Sequence, residues 1–201
     1  YRYIPSRPYI DQIDRIPLIN IRKIPLDNYA NAFLKRTMDF LGALFLLILC
    51  SPILLAAAIG VKLTSPGPVI FKQERVGLNK ELFTMYKFRS MVVNDQSNTA
   101  WSTNEDPRKT KFGAFIRKFS IDELPQLYNV LKGDMSLVGP RPELPYFVEN
   151  FQKSVPLYMV KHQVKPGITG LAQVKGYRGD TSIPKRIEWD VYYIENWSLS
   201  L

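Results

Sequence analysis

The sequence predicts a small α+β domain held on a membrane by an apolar helix that enters the bilayer and returns to the same face. Three observations lead to this prediction. Residues 40–61 form a run of 22 positions without a charged side chain. This run has Ser51 and Pro52 at its centre. After residue 62, short strand patterns alternate with amphipathic helical patterns, as expected of a compact mixed domain.

The composition is that of a folded protein. Of the 201 residues, 46% are hydrophobic and 22% are charged, and a chain of this length can bury a substantial core. The net charge of +9 favours a polyanionic partner, which could be nucleic acid, an anionic membrane surface or a substrate with several phosphates. Composition does not choose among the three. Cys50 is the only cysteine, which excludes a disulfide framework and favours a reducing compartment such as the cytosol.

The first 30 residues are predicted to form a linker or an edge hairpin. Four prolines interrupt short β-prone pieces there, and no signal-peptide pattern is present. We therefore divide the chain into a connecting segment, residues 1–30, and a folded domain, residues 31–201, which includes a membrane helix over residues 33–62. The connecting segment is expected to join this domain to upstream parts of a longer protein.

The apolar run has the properties of a membrane helix. At about 1.5 Å per residue, 22 helical residues match the ~30 Å hydrocarbon core of a bilayer. A helix buried in a soluble core is the alternative, but such helices normally keep a polar face, which this run lacks. Pro52 removes one helical hydrogen bond, and the hydroxyl of Ser51 can satisfy a freed carbonyl. A sharp bend is therefore expected at Ser51-Pro52.

Both flanks of the run are basic, which favours a helix that returns. Because cationic flanks prefer the cytoplasmic side of a membrane, a simple crossing would place one set on the wrong side. Asp39 lies three and four residues after the two nearest cations, so we expect it to neutralise them on a shared helix face at the membrane boundary. The basic residues before and after the run are Lys35, Arg36, Lys62, Lys72 and Arg75.

The remainder of the chain predicts a short β-hairpin surrounded by helices. Turn signals lie between alternating apolar patterns in this part of the sequence. The predicted elements are strands over 69–71 and 82–91 around a turn at 77–79, a polar loop over 95–110, helices over 111–118, 122–131, 146–164 with a break at Pro156, and 184–197, and a strand over 171–174.

Asp122 and Glu123 are the candidate catalytic pair. They stand at a predicted helix start, where adjacent carboxylates usually serve as caps, and Ser120 with Glu123 fits a capping box. The catalytic interpretation depends on nearby cations that could converge on phosphate oxygens. These cations, all near turns or element ends, are Lys87, Arg89, Arg117, Lys118 and Arg141.

A stiff loop, Gly139-Pro140-Arg141-Pro142, displays one arginine between two prolines. Rigid display suits a defined anionic target, although a stiff loop without a ligand is an equal alternative. The only histidine, His162, stands among polar and basic residues, as surface histidines commonly do, and we leave it out of the site. The sequence contains no zinc-type cysteine–histidine cluster, no P-loop, no dinucleotide fingerprint and no serine elbow.

Five motifs, in order and spacing, resemble those of the monotopic bacterial phosphoglycosyl transferases. The likeness covers about residues 31–197, and PGITGLAQV at 166–174 is a further match. The five motifs are FLKRTMD at 33–39, SP at 51–52, YKFRSM at 86–91, SIDELPQL at 120–127 and GPRP at 139–142. The resemblance implies an enzyme that transfers a sugar 1-phosphate from a UDP-sugar, with glucose or galactose as the expected hexose, to undecaprenyl phosphate. UMP would be released, and the product would start the assembly of a surface polysaccharide such as an exopolysaccharide or capsule.

The resemblance also implies roles for individual residues. Asp122 would be the nucleophile that forms a covalent aspartyl-phosphosugar intermediate, and Glu123 would help to hold Mg²⁺ or assist the acceptor. An ionised carboxylate suits this role because it needs no general base. Both carboxylates are expected to bind the metal. The residues expected to bind substrate are Lys87, Arg89, Arg117, Gly139, Pro140, Arg141 and Pro142.

The expected location is the inner membrane of a bacterium, with the catalytic domain on the cytoplasmic face. Expected partners are the UDP-sugar, undecaprenyl phosphate and the membrane itself, and no nucleic acid. A homodimer is compatible with the sequence, which does not fix the oligomeric state. The alternative from another class is a non-catalytic membrane adaptor whose basic face binds anionic lipid or nucleic acid.

Overall fold

The computed structural model describes residues 9–13, 16–20, 24–91, 110–179 and 181–200, with side chains from residue 24 onward. Within these ranges the chain has an α+β architecture, which confirms the predicted fold class. The elements are β1 (Tyr9–Ile13), β2 (Ile16–Asn20), α1 (Tyr29–Leu49), α2 (Ser51–Thr64), β3 (Ile70–Val76), β4 (Leu82–Phe88), α3 (Lys111–Lys118), α4 (Gln126–Lys132), β5 (Ser136–Val138), α5 (Pro145–Ser154), β6 (Gly167–Thr169), α6 (Leu171–Val174) and α7 (Ile183–Asn196).

The strands form three separate two-stranded sheets in the described part of the chain. β1 pairs with β2 and β3 pairs with β4, both antiparallel, whereas β5 and β6 are parallel. The β1–β2 hairpin falls within the segment predicted as a linker or edge hairpin. The predicted hairpin turn over 77–79 is present between β3 and β4. Most of the polar loop predicted over 95–110 lies outside the described residues.

A predicted strand differs in type from the observed element, whereas a predicted helix break is present. The segment predicted as a strand over 171–174 is the helix α6, because Val174 and Lys175 donate backbone hydrogen bonds to Gly170 and Leu171. The strand β6 comes just before it. The helix predicted over 146–164 with a break at Pro156 is present as α5 and a 3-10 helix, Tyr158–Gln163, which confirms the break. Leu157, with φ of 62°, stands in the left-handed region between them and prevents a continuous helix.

The apolar run is a bent helix pair. α1 ends at Leu49 and α2 begins at Ser51, and the two axes are bent by 63°. The hydroxyl of Ser51 donates to the carbonyl of Ile48 over 2.8 Å, while Pro52 occupies the first turn of α2, where its missing N–H costs no hydrogen bond. This confirms the predicted break. In the described residues, no single helix is both long and apolar enough to cross a bilayer, whereas the pair together meets the length and composition criterion.

Most apolar side chains of this pair face outward. The only buried residues of the two helices are Asp39, Ala43, Ala57 and Val61. A helix from a soluble core would bury its apolar side chains instead. The large side chains more than half exposed are Tyr29, Phe33, Leu41, Phe45, Ile48, Leu49, Leu55, Ile59 and Leu63.

The N-terminal half of α1 is fastened to β5 by buried polar contacts. Lys35 Nζ lies 2.8 Å from Asp39 Oδ1 and 2.6 Å from Ser136 Oγ. The same Asp39 oxygen accepts a hydrogen bond from the backbone N–H of Leu137 at 3.0 Å. The predicted Lys35–Asp39 neutralisation is therefore present, and it also ties the apolar helix to the strand that precedes the Gly139–Pro142 loop.

Arg36, the third member of the predicted charge group, has different partners. Its guanidinium donates to the backbone carbonyls of Val130 and Leu131 in the last turn of α4. Cations are favoured at this end of a helix because the last carbonyls lack helical partners and carry the negative end of the dipole. Arg36 therefore fixes α1 to α4.

One apolar cluster places the elements of the site. Ala43, Met85, Leu127, Val130 and Met135 pack together and join α1, β4 and α4. A buried amide strengthens the α4–β4 contact, because Asn129 accepts from the N–H of Tyr86 at 3.1 Å and donates to the carbonyl of Thr84 at 2.7 Å. These contacts bring the end of β4 next to the turn that leads into α4.

Candidate active site

Asp122 and Glu123 lie in a 3-10 turn immediately before α4. The turn spans Ile121–Glu123 and follows Ser120, whose φ of 55° places it in the left-handed region. The side chain of Ser120 makes no capping hydrogen bond to the turn. The capping-box explanation of the two carboxylates is therefore wrong. Both acidic residues are only 5% exposed, and such burial is uncommon for carboxylates unless they are paired.

Glu123 is paired with three cations from three parts of the chain. Lys87 of β4 and Arg141 of the Gly139–Pro142 loop each approach Oε1 to 3.1 Å. Arg178, from the segment between α6 and α7, approaches Oε2 to 3.2 Å and donates to Ser120 Oγ at 3.1 Å. The three positive charges exceed the single negative charge of this carboxylate, so the site is suited to binding a further anion.

The two adjacent carboxylates have pKa values shifted in opposite directions. Burial raises the pKa of Asp122, although the charges of Lys87 and Arg117 oppose the rise. Burial acts on Glu123 as well, but Arg141, Lys87 and Arg178 outweigh it and hold the pKa of Glu123 well below its usual range. Glu123 is thus a permanent anion, whereas Asp122 has the higher proton affinity expected of a stronger nucleophile.

Lys87 has a lowered pKa as well. Burial of its ammonium group lowers the pKa to about 8, with Glu123 opposing the shift and Arg141 adding to it. Its positive charge is therefore lost within an accessible pH range.

Asp122 is less completely paired than its neighbour. Among the described residues, its buried Oδ1 has no hydrogen-bond partner. A buried carboxylate oxygen without a partner is costly unless a ligand completes it. No group of three or more metal-ligating side chains occurs in the described part of the chain. The residues present nevertheless fit Mg²⁺, which is commonly held by one or two carboxylates together with substrate phosphates.

The Gly139–Pro142 loop is held by β6. Gly139 donates its N–H to the carbonyl of Thr169 and Gly167 donates to the carbonyl of Pro140, both at 2.9 Å. A Cβ on Gly139 would come within 2.5 Å of the Lys165 carbonyl oxygen, which is backbone and cannot give way. The amide of Gly167 is thus used to support the loop that presents Arg141.

The other two predicted substrate-binding cations, Arg117 and Arg89, have different surroundings. Arg117 lies in the last turn of α3 and its charge acts on Asp122. Arg89 directly follows β4, which ends at Phe88, and its guanidinium contacts Ser65, the residue that follows α2. There it donates to the carbonyl and hydroxyl of Ser65 at 2.7 and 2.9 Å.

Two arginines of the site were missed by sequence reasoning. Arg178 is one, and it lies between Gly176 and Gly179, both with positive φ. An arginine between two glycines was the available signal. Arg75 is the other, since the sequence assigned it to the membrane flank, whereas its guanidinium donates to the carbonyl of Pro142 at 3.3 Å. Burial, and after it the charge of Arg141, lowers the pKa of Arg75 to about 10.

A second buried ionic cluster lies behind the Gly139–Pro142 loop. Glu143 accepts from Tyr158 Oη at 2.8 Å and from Arg186 Nη1 at 2.9 Å, and Lys161 Nζ lies 3.4 Å away. Burial alone would raise the pKa of Glu143, but Lys161 and Arg186 lower it to about 2. His162 is close by and buried, and burial together with Lys161 lowers its pKa to about 4, so it is neutral at pH 7.

The chain belongs to the bacterial sugar transferase family, whose sequence model matches residues 30–201. It is 47% identical over 199 residues to the UDP-glucose:undecaprenyl-phosphate glucose-1-phosphate transferase of Xanthomonas campestris pv. campestris, covering 95% of this chain and 41% of that protein. It is 52% identical over 173 residues to the UDP-N-acetylgalactosamine-undecaprenyl-phosphate N-acetylgalactosaminephosphotransferase of Aeromonas hydrophila, covering 85% and 41%.

A further relative is the exopolysaccharide production protein PSS of Rhizobium leguminosarum bv. phaseoli, at 45% identity over 175 residues, covering 83% of this chain and 88% of that protein. These matches confirm the family resemblance seen in the sequence. The chain spans about two fifths of the length of the Xanthomonas and Aeromonas relatives.

Proposed function

We propose that this chain is the catalytic part of a phosphoglycosyl transferase, which transfers a sugar 1-phosphate from a UDP-sugar to undecaprenyl phosphate and releases UMP. The observation that carries the proposal is the pairing of Asp122, a buried carboxylate with an unpartnered oxygen, with Glu123, which three cations surround. The names of the Xanthomonas and Aeromonas relatives support the same reaction class.

In the first half-reaction, a carboxylate oxygen of Asp122 attacks the phosphorus that carries the sugar. The new bond joins that oxygen to phosphorus, and the bond from phosphorus to the oxygen bridging to UMP breaks. UMP leaves with the electron pair, and the sugar phosphate remains on Asp122 as an acyl phosphate. No proton has to be removed from an ionised carboxylate, so this step requires no general base.

In the second half-reaction, a phosphate oxygen of undecaprenyl phosphate attacks the same phosphorus. The bond to the Asp122 oxygen breaks, so the carboxylate is restored and the undecaprenyl diphosphate sugar is formed. The first step moves negative charge from the Asp122 carboxylate to a phosphate oxygen of UMP, and the second moves it from a phosphate oxygen of the acceptor back to the carboxylate. Lys87, Arg141 and Arg178 already converge on one carboxylate and can share their charge with these oxygens.

Mg²⁺ is part of this proposal. Asp122 and Glu123 would hold it, and when bound it would neutralise charge on the diphosphate. The unpartnered Oδ1 of Asp122 supports this assignment. The exposed position of Arg178, whose side chain is 45% accessible, would allow it to leave Glu123 when the metal and the diphosphate enter.

We also propose that α1 and α2 enter the cytoplasmic leaflet of a bacterial inner membrane and return. If both arms make equal angles with the membrane plane, a bend of 63° inclines each arm by about 31°. Arms of 21 and 14 residues then reach depths of only about 11–16 Å, short of the ~30 Å hydrocarbon core. Outward-facing apolar side chains and basic flanks support this placement.

The proposed donor is a UDP-hexose, with UDP-glucose first and UDP-galactose next. The glucose-specific name of the Xanthomonas relative supports this order, and the Aeromonas name makes UDP-N-acetylgalactosamine a necessary competitor in any assay. The name of the Rhizobium relative supports a role in exopolysaccharide assembly.

The test is a UMP-release assay with undecaprenyl phosphate and a panel of UDP-sugars, with and without Mg²⁺. Asp122→Asn should lower turnover by at least about a thousandfold, because an amide cannot serve as the nucleophile. Asp27→Asn, a change at an exposed aspartate, is the matched control and should keep wild-type turnover. Without acceptor, mass spectrometry should find one sugar phosphate on Asp122. Absence of UMP release from the wild type with every donor would instead favour a non-catalytic adaptor. Full activity of Asp122→Asn would exclude Asp122 as the nucleophile, and an active enzyme without an adduct would exclude covalent catalysis.

A further inference from the structure

Arg186 of α7 connects two loops that reach the active site from different sides. Its side chain is only 4% exposed. Nη1 donates to Glu143 Oε1 at 2.9 Å, whereas Nη2 donates to the carbonyl of Gly179 at 2.6 Å and to Thr181 Oγ1 at 3.3 Å. A planar guanidinium can make both sets of contacts at once because its donors point along fixed, diverging directions.

The first set of contacts fixes the loop that carries Arg141. Glu143 follows Pro142 directly, and its carbonyl accepts the N–H of Val76 in β3 at 3.0 Å. Its other carboxylate oxygen accepts from Tyr158 at 2.8 Å. Two residues before Glu143, Arg141 reaches Glu123 at 3.1 Å. Because only Pro142 separates Glu143 from Arg141 in the chain, a displacement of Glu143 would also displace Arg141.

The second set of contacts fixes the segment that carries Arg178. Gly179 directly follows Arg178 and has a φ of +74°. Glycine backbone without support populates many conformations, so the hydrogen bond from Arg186 to its carbonyl restricts the segment. From this position Arg178 reaches Glu123 at 3.2 Å.

α7 provides a fixed base for these contacts. Ile187, next to Arg186, is buried with Val76, Val148, Tyr158 and Val191 in one apolar cluster. The two loops therefore contact a residue whose own backbone is held by core packing. Buried side chains of this kind orient a site more reliably than exposed ones.

We infer that Arg186 is a positioning residue, which holds the Arg141 loop and the Arg178 segment at the separation that lets both arginines converge on Glu123 and hence on the phosphates of the donor. This inference rests on the proposed function. Arg186 acts through Arg141 and Arg178 and does not touch the reacting atoms.

Arg186→Lys is the informative variant. The ammonium group keeps the positive charge beside Glu143 but cannot donate to Glu143 and Gly179 with the same fork. We expect kcat/KM for UMP release to fall about tenfold to a hundredfold, and the affinity for UMP, measured by calorimetry, to fall about tenfold. The melting midpoint should stay within a few degrees of wild type. Lys185→Arg, on an exposed neighbour in the same helix, is the control and should change none of these quantities.

A double-mutant cycle separates positioning from general stability. In an Arg178→Ala background, Arg186→Lys should weaken UMP binding by no more than about threefold, because one of the two residues that it positions is gone. Equal fold losses in both backgrounds, a wild-type kcat/KM in Arg186→Lys, or a loss explained by a large fall in melting midpoint would each overturn the inference. UMP binding requires no turnover, so an inactive wild type would count against the proposed function while binding still tests Arg186.

Discussion

Adjacent residues with opposite electrostatic surroundings are the central feature of this site. Burial acts on both Asp122 and Glu123. The ion pairs of Glu123 with three cations outweigh burial and lower its pKa, whereas burial raises the pKa of Asp122. The division makes Glu123 a fixed anion that gathers cations, and it suits Asp122 to the proposed role of nucleophile. Sequence reasoning identified the pair and its neighbours Lys87 and Arg141. It could not identify Arg178, since 55 positions along the chain separate it from Glu123 and only the fold brings them together.

The pH dependence of the reaction should report on Lys87. Its pKa is about 8, lowered by burial, so above that pH it loses its charge and leaves Glu123 with one counter-ion fewer. The rate constant kcat/KM of the wild type should therefore fall above about pH 8, by up to tenfold per pH unit. In Lys87→Arg the guanidinium stays protonated over the whole range. The fall in kcat/KM should then occur above the highest pH measured, even if the value of kcat/KM below that pH is a few times lower than in the wild type.

The measurement is kcat/KM between pH 6 and 9.5 for the wild type, Lys87→Arg and the exposed control Lys185→Arg. The control should retain the wild-type limb. If kcat/KM of Lys87→Arg fell at the same pH as that of the wild type, the fall would be due to the titration of another group.

At the scale of elements, local features such as the helix break and the β3–β4 hairpin were predicted, whereas pairing between strands distant in sequence was not. The bend at Ser51-Pro52 follows from a hydrogen bond that proline cannot make, so the sequence suffices to place it. α6 was predicted as a strand because its apolar residues also suit a strand, and a run this short does not distinguish the two periodicities. The parallel pairing of β5 with β6 depends on Gly139 and Gly167 approaching each other, which no local pattern reveals.

The contact of α1 with β5 gives a prediction for stability. Asp39→Ala removes the acceptor of both Lys35 and the Leu137 N–H, so two polar groups lose a charged partner. The free energy of unfolding should fall by about 2–3 kcal/mol, which corresponds to a melting midpoint lower by about 5–10 °C in a domain of this size. Asp39→Asn should lose less, since its amide oxygen can still accept from Leu137.

Thermal unfolding in one detergent or nanodisc preparation is the measurement. Asp27→Ala, at an exposed aspartate, is the control and should leave the midpoint within about 1 °C. If Asp39→Ala behaved like this control, the contact with β5 would contribute nothing to stability.

At the scale of the whole molecule, the apolar pair and the charged site belong to one rigid arrangement. Lys35 and Asp39 tie α1 to β5, Arg36 ties it to α4, and the turn that carries Asp122 leads directly into α4. In the proposed membrane placement, the position of the helix pair would therefore determine where Asp122 lies relative to the headgroups. An acceptor phosphate at the membrane surface and a donor from the cytosol could meet there only if the pair returns to the side from which it entered.

Single cysteines on both sides of the apolar pair test this return. After Cys50→Ser, which removes the native cysteine, Ala30→Cys lies at the beginning of α1 and Pro66→Cys lies just after α2. Because the bend of 63° and the basic flanks favour one face, an impermeant maleimide should label both positions in inside-out vesicles and neither in intact spheroplasts. Labelling of the two positions from opposite sides would show that the pair crosses the bilayer. The acceptor-binding side of Asp122 would then have to be reassigned, while its nucleophilic role would be tested separately by the adduct on Asp122.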